Sequence, residues 1–68
     1  MMYLIEYTIL SERKTSTVIL DLENEPEYYD TPEGSQILRK KISSAENIAL
    51  NSFSIGEIRT VLNQVVLN

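Results

Sequence analysis

"FSIGEIRTVLNQVV", residues 53 to 66, decides how this chain folds. Its apolar residues Ile55, Ile58, Val61, Leu62, Val65 and Val66 fall at offsets of 0, 3, 6, 7, 10 and 11. That spacing traces one stripe of an α-helix rather than the alternation of a strand. Ser54 and Glu57 stand in capping-box spacing at the head of the stripe, so a helix is the preferred expectation. The rival reading pairs 48–55 with 58–65 across a Gly56-Glu57 turn, which suits the Val-rich end. It sets Asn51 opposite Leu62 and Leu50 opposite Asn63, mixing polar and apolar residues on both faces. The stripe serves either as the cover of a sheet or as a seam between two copies.

Upstream, "DTPEGSQILRKK" carries a helix start: Thr31 as N-cap, Pro32 at the first helical position and Glu33 in the first turn, with Gly34 weakening the signal. Leu38, Ile42, Ala45 and Ala49 follow at spacings of four, three and four, giving one apolar face from about 32 to 50. Ser43 and Glu46 have capping-box spacing, so a break within "ISSAEN" stays open.

At the other end Tyr3, Ile5, Tyr7 and Ile9 alternate with Leu4, Glu6, Thr8 and Leu10, the pattern of a strand. "SERKTS", residues 11–16, reads as a turn, and "TVILDL", residues 17–22, as a second strand with Val18, Leu20 and Leu22 on one face and Thr17, Ile19 and Asp21 on the other. The turn has no glycine, so a connection of four or five residues is expected instead of a two-residue one. Two strands alone are marginal in water and must be covered. Apolar Leu4, Leu10 and Ile19 fall on the face that a two-layer monomer leaves open, which favours self-association.

Size sharpens that point. Sixty-eight residues make one domain, and a chain this short buries only about 60% of the surface it exposes when unfolded. With no Cys and no His, neither a disulfide nor a Cys/His zinc site can staple it, which leaves oligomerisation or close packing. A homodimer is expected. The absence of Cys agrees with a reducing cytoplasm. No run of about 18 apolar residues is present, and "MMYLIEYTIL" has neither a basic start nor a cleavage site, so neither a membrane span nor a signal peptide is expected.

The residue inventory also bears on chemistry. General acid–base and nucleophilic catalysis lean on His, Cys or an activated Ser or Lys, and a carboxylate pair needs a deep pocket that 68 residues hardly wall. Gly34 and Gly56 are the only glycines, so phosphate-cradling loops cannot be written. No enzyme, cofactor or metal is expected.

The net charge is −4, and six of the ten acids fall between residues 21 and 33. "DLENEPEYYD", residues 21–30, sets Asp21, Glu23, Glu25, Glu27 and Asp30 around Tyr28 and Tyr29 with no base among them. It reads as a solvated loop whose acids favour the following helix N-terminus, or as a recognition surface in which the tyrosines supply contact area and the carboxylates steer a basic partner. A calcium loop fails on Pro26 and the missing turn glycine. If extended, alternate carboxylates lie about 6.6 Å apart, comparable to phosphates along a nucleic-acid strand. The opposing candidate is a basic patch of Arg13, Lys14, Arg39, Lys40 and Lys41, which would serve a small dimeric nucleic-acid-binding protein. Residues 53–63 are similar to the opening helix of helix-turn-helix modules, with no recognition helix after it and no family identified.

The sequence thus predicts an α+β domain spanning 1–68, ββα or ββαα. A hairpin at about 3–22 and an acidic loop at about 21–31 precede a helical part at about 32–66, and dimerisation completes the single-layer sheet. Its expected role is that of a small acidic regulator or inhibitor, binding through residues 21 to 30 to a basic site on a larger protein, one that can itself be a nucleic-acid site. Size and acidity are typical of accessory proteins carried by phages and mobile elements. A purely structural subunit is the remaining alternative.

Overall fold

The computed structural model describes residues 1–61, in the order β1 (Met2–Ile9), β2 (Lys14–Asp21), a 3-10 turn (Pro26–Asp30), α1 (Pro32–Glu46) and β3 (Phe53–Thr60). The α+β class holds, but the sheet has three antiparallel strands in the order β2-β1-β3, with one helix across it. The first strand of the chain is therefore the central one.

The alternation of β1 accounts for that position. Tyr3, Ile5 and Tyr7 are buried towards the helix, while Leu4, Glu6 and Thr8 face outwards. β2 runs back from a four-residue connection, 10–13, in which Arg13 has φ 53°, a left-handed value that a glycine would adopt without strain. The register sets Ile9 against Lys14 and Met2 against Asp21, so β2 begins three residues before the expected Thr17.

The main correction falls on residues 53–66. Phe53–Thr60 is neither a helix nor half of a hairpin with 58–65; it is a strand paired with β1 from Ile9↔Phe53 to Tyr3↔Thr60. Between Tyr7↔Ile55 and Ile5↔Ile58 it has Gly56 and Glu57 where β1 has Glu6 alone. This bulge moves the alternation by one residue, so Ile55 and Ile58, three apart, face the helix together. A three-residue apolar interval is what a helix also produces, and Ser54 and Glu57 cap nothing. The rest of the stripe, residues 62–66 with Val65 and Val66, lies outside the described residues.

The helix starts as its signals predict and stops earlier than the expected 50. Thr31 Oγ1 accepts from the Gly34 N–H at 3.0 Å and donates to the Tyr28 carbonyl at 2.6 Å. Leu38 and Ile42 have no exposed surface, and burying each stabilises the fold by about 1.5–3 kcal/mol. Ala45 and Ala49 are exposed, and Ala49 lies past the end. The helix passes unbroken through Ser43 and Ser44 and ends at Asn47, whose left-handed backbone (φ 57°, ψ 50°) turns its N–H and that of Ile48 back onto the Ser43 carbonyl.

Tyr3, Ile5, Tyr7, Leu22, Tyr29, Leu38, Ile42 and Phe53 form the core. One helix cannot cover three strands, so Val18 and Leu20 of β2 and Ile55 and Ile58 of β3 stay half-buried on the helix side. On the open face Met2, Leu4 and Ile19 lie together, beside Glu6, Glu57 and Arg59, which are joined by ion pairs. Among the described residues no helix is long and apolar enough to cross a membrane.

Candidate functional site

The acidic segment leaves the end of β2 and is fixed by two apolar anchors. Leu22, 1% exposed, enters the core and donates its N–H to the Met1 carbonyl at 2.9 Å. Seven residues on, Tyr29, 5% exposed, enters the core from the 3-10 turn, and its hydroxyl oxygen accepts the Asn24 N–H at 3.3 Å. Pro26 opens that turn and the Tyr28 N–H closes on the Glu25 carbonyl. The segment is thereby held at both ends and in the middle.

This geometry divides the predicted residues. Tyr29 is a core residue and does not offer contact area. Tyr28 stacks on it edge to face, with centroids 5.2 Å apart, and keeps part of its ring exposed. Glu23, Glu25, Glu27 and Asp30 are exposed, and among the described residues none of them forms an ion pair. Asp21 differs, since it binds the Met1 ammonium at 2.8 Å. That hydrogen bond and charge, helped by Lys41, hold its carboxyl below the ordinary 3.8. The extended spacing of about 6.6 Å does not survive past Glu25, because residues 26–30 coil into the turn.

Tyr3 links the segment to the sheet. Burial pushes its hydroxyl above the ordinary 10, and the charges of Glu25 and Glu27, with Tyr29, push the same way. Glu23, Glu25 and Lys41 border a groove of 390 Å³ that Tyr3 floors. On the other side of the turn, Glu27 and Asp30 face Arg39 and Ile55 across a groove of 510 Å³. Glu23 and Glu25 thus border one groove, and Glu27 and Asp30 another. Among the described residues no group of three or more acids is arranged to hold a metal ion.

The basic candidates do not meet. Arg13 and Lys14 sit at the turn end of the hairpin, whereas Lys41 lies beside Met1, Asp21 and Glu23 at its opposite end. The seven rises of an eight-residue strand put about 23 Å between those ends. Arg39 is committed elsewhere: its guanidinium lies 4.8 Å from the Phe53 ring centre and donates to the carbonyls of Leu50 and Phe53 at 2.9 and 2.7 Å. Lys40 is exposed on the helix.

Sequence reasoning missed Lys41 and Tyr3 as neighbours of the acids, and no local signal pairs them, because the contacts are made by folding. It also missed the anchoring role of Tyr29, because Tyr28 beside it is the same residue type and the fold alone separates the buried ring from the part-exposed one. No family model matches this chain, and no curated protein or solved structure matches it either.

Proposed function

We propose that the protein is a small acidic binding module, a regulator or inhibitor that docks its 21–30 segment on a basic site of a larger protein in the cytoplasm. The observation that carries this reading is the anchored display of Glu23, Glu25, Glu27 and Asp30: charged, exposed, without ion pairs among the described residues, and held by the buried Leu22 and Tyr29. Fixing charged groups before binding lowers the ordering cost on association and favours a complementary partner. Glu27, Asp30 and Glu33 lie near the start of α1, where acids also stabilise the helix. Glu23 and Glu25 lie upstream and gain nothing of that kind, so they are the strongest candidates for recognition. The part-exposed Tyr28 adds apolar contact. Action by binding, without catalysis or cofactor, rests on the inventory with no His and no Cys. Loss of the linear carboxylate spacing past Glu25 favours a folded basic protein surface as the target. Self-association belongs to the same reading.

The test is capture from source-cell lysate, with nuclease present, using the wild type and a Glu23→Gln, Glu25→Gln, Glu27→Gln variant. The three side chains make no hydrogen bond or ion pair in the described fold, so the variant should keep its circular dichroism and melting temperature. The expected outcome is one retained protein whose affinity falls at least tenfold in the variant and weakens with salt. Equal retention by both baits removes the acidic segment from the interface.

A further inference from the structure

The two outer edges of the sheet are not alike. Leu22 donates its N–H to the Met1 carbonyl and the Met1 ammonium donates to the Leu22 carbonyl, so this pair is of the hydrogen-bonded kind. Alternation along an antiparallel ladder then directs the backbone groups of residues 14, 16, 18 and 20 towards β1, and those of Thr15, Thr17, Ile19 and Asp21 away from it. Among the described residues no strand lies on that outer side of β2. The edge is eight residues long, without bulge or proline. β3 is guarded: the bulge at Gly56-Glu57 interrupts its edge, and Arg39 occupies the Phe53 carbonyl.

We propose that the outer edge of β2 pairs antiparallel with β2 of a second copy, joining two three-stranded sheets into one of six strands. This deepens the self-association part of the reading above and shares with the acidic docking surface only Glu23 at its edge. Charge selects the occupant. One end of β2 follows Arg13 and the other leads into Glu23, so a copy running the opposite way brings Arg13 towards Glu23 of the second copy at both ends, while Asp21 stays with the Met1 ammonium. Packing selects the register. Outward-pointing residues must face one another, and a two-fold axis at Val18 overlaps residues 15–21 of both copies. It opposes Thr17 to Ile19 and Thr15 to Asp21 of the second copy, and Val18 to its own counterpart. A centre at Thr17 would instead oppose Lys14 to Leu20, and one at Ile19 would shorten the overlap to residues 17–21. About the Val18 axis both helices lie on the same side of the joined sheet, so the half-buried Val18 and Leu20 fall between them and lose their remaining exposure.

The backbone alternation supplies the test. The Thr17 N–H points away from β1, so Thr17→Pro removes a donor to the second copy while leaving the β1–β2 ladder intact. Sedimentation equilibrium of the wild type between about 1 and 500 μM is expected to reach twice 7.8 kDa, and Thr17→Pro should raise the dimer dissociation constant at least tenfold with unchanged circular dichroism. A second variant does not depend on how well the proline folds. The chain has no Cys, so Val18→Cys places a single thiol on the axis, opposite its copy at about 4.5 Å between Cα atoms, within disulfide reach. Rapid disulfide-linked dimer in Val18→Cys, and none in a Thr60→Cys control on β3, is expected. A wild type that stays at 7.8 kDa throughout overturns the proposal, as does a folded Thr17→Pro that still dimerises or a Val18→Cys that links no faster than the control.

Discussion

A methyl group at position 34 would lie 2.0 Å from the Tyr28 carbonyl oxygen and 2.7 Å from its carbon, both backbone atoms that cannot swing aside. The same carbonyl receives the Thr31 hydroxyl, so the 3-10 turn is locked over the first turn of α1 only while residue 34 has no side chain. Gly34→Ala should therefore destabilise by about 3 kcal/mol despite the better helix propensity of alanine, read as a lower urea midpoint at constant slope. Gly56→Ala is the control. Its Cβ would meet the Glu6 carbonyl at 3.4 Å, an ordinary contact, and the change should stay within about 0.5 kcal/mol. In sequence Gly34 counts against the helix start that Thr31 and Pro32 announce; in the structure it is what lets that start be covered.

At the scale of the element, the strands differ in how far they can be read. β1 and β2 keep a strict alternation, and Tyr3, Ile5, Tyr7, Val18 and Leu20 fall on the face that the pattern assigns them. β3 hides behind its bulge, because Ile55 and Ile58 keep a common face only through one additional residue. Asn47 ends α1 in a conformation that asparagine tolerates, yet nothing in "ISSAEN" separates it from a serine cap. The acidic segment was legible as charge and illegible as architecture: that Tyr29 is buried and Tyr28 is not depends on a turn whose direction Pro26 alone does not fix. Deleting Gly56 checks the bulge. Removal leaves Glu57 alone opposite Glu6 and sets Ile55 and Ile58 two positions apart, so plain alternation keeps both on the helix side opposite Tyr7 and Ile5. The expected result is a folded protein that keeps its cooperative thermal transition, whereas loss of that transition would mean that the additional residue is itself needed to position the strand.

For the whole molecule, stability should depend on pH from both sides. Tyr7 donates to Glu46 at 2.5 Å, tying the helix end to the central strand, and this bond, then burial, pushes its hydroxyl above the ordinary 10, as burial does for Tyr3. Between 10 and the higher folded values the folded state holds protons that the unfolded chain has released. This contribution is complete below pH 10 and lost as pH climbs through the folded values. Asp21 acts in the other direction. Its contribution is present above 3.8 and lost as pH falls through its lower folded value. Urea midpoints measured across pH should give a plateau between about pH 5 and 9 with a fall on each side. Tyr7→Phe should lower the plateau by about 1 kcal/mol and soften the alkaline fall; an alkaline limb as steep as the wild type's would remove Tyr7 as its cause.

A sheet with two equally receptive margins has no natural stopping point, since each added copy offers a fresh margin to the next. Here Gly56, Glu57 and Arg39 spoil one margin in every molecule. On the pairing proposed above, joining through the other would use the one receptive margin among the described residues of each copy, and growth would stop at two copies instead of running on into a filament. In that arrangement the irregularity that disguised β3 as a helix would also be what closes the sheet of a short, disulfide-free chain against further edge-to-edge growth.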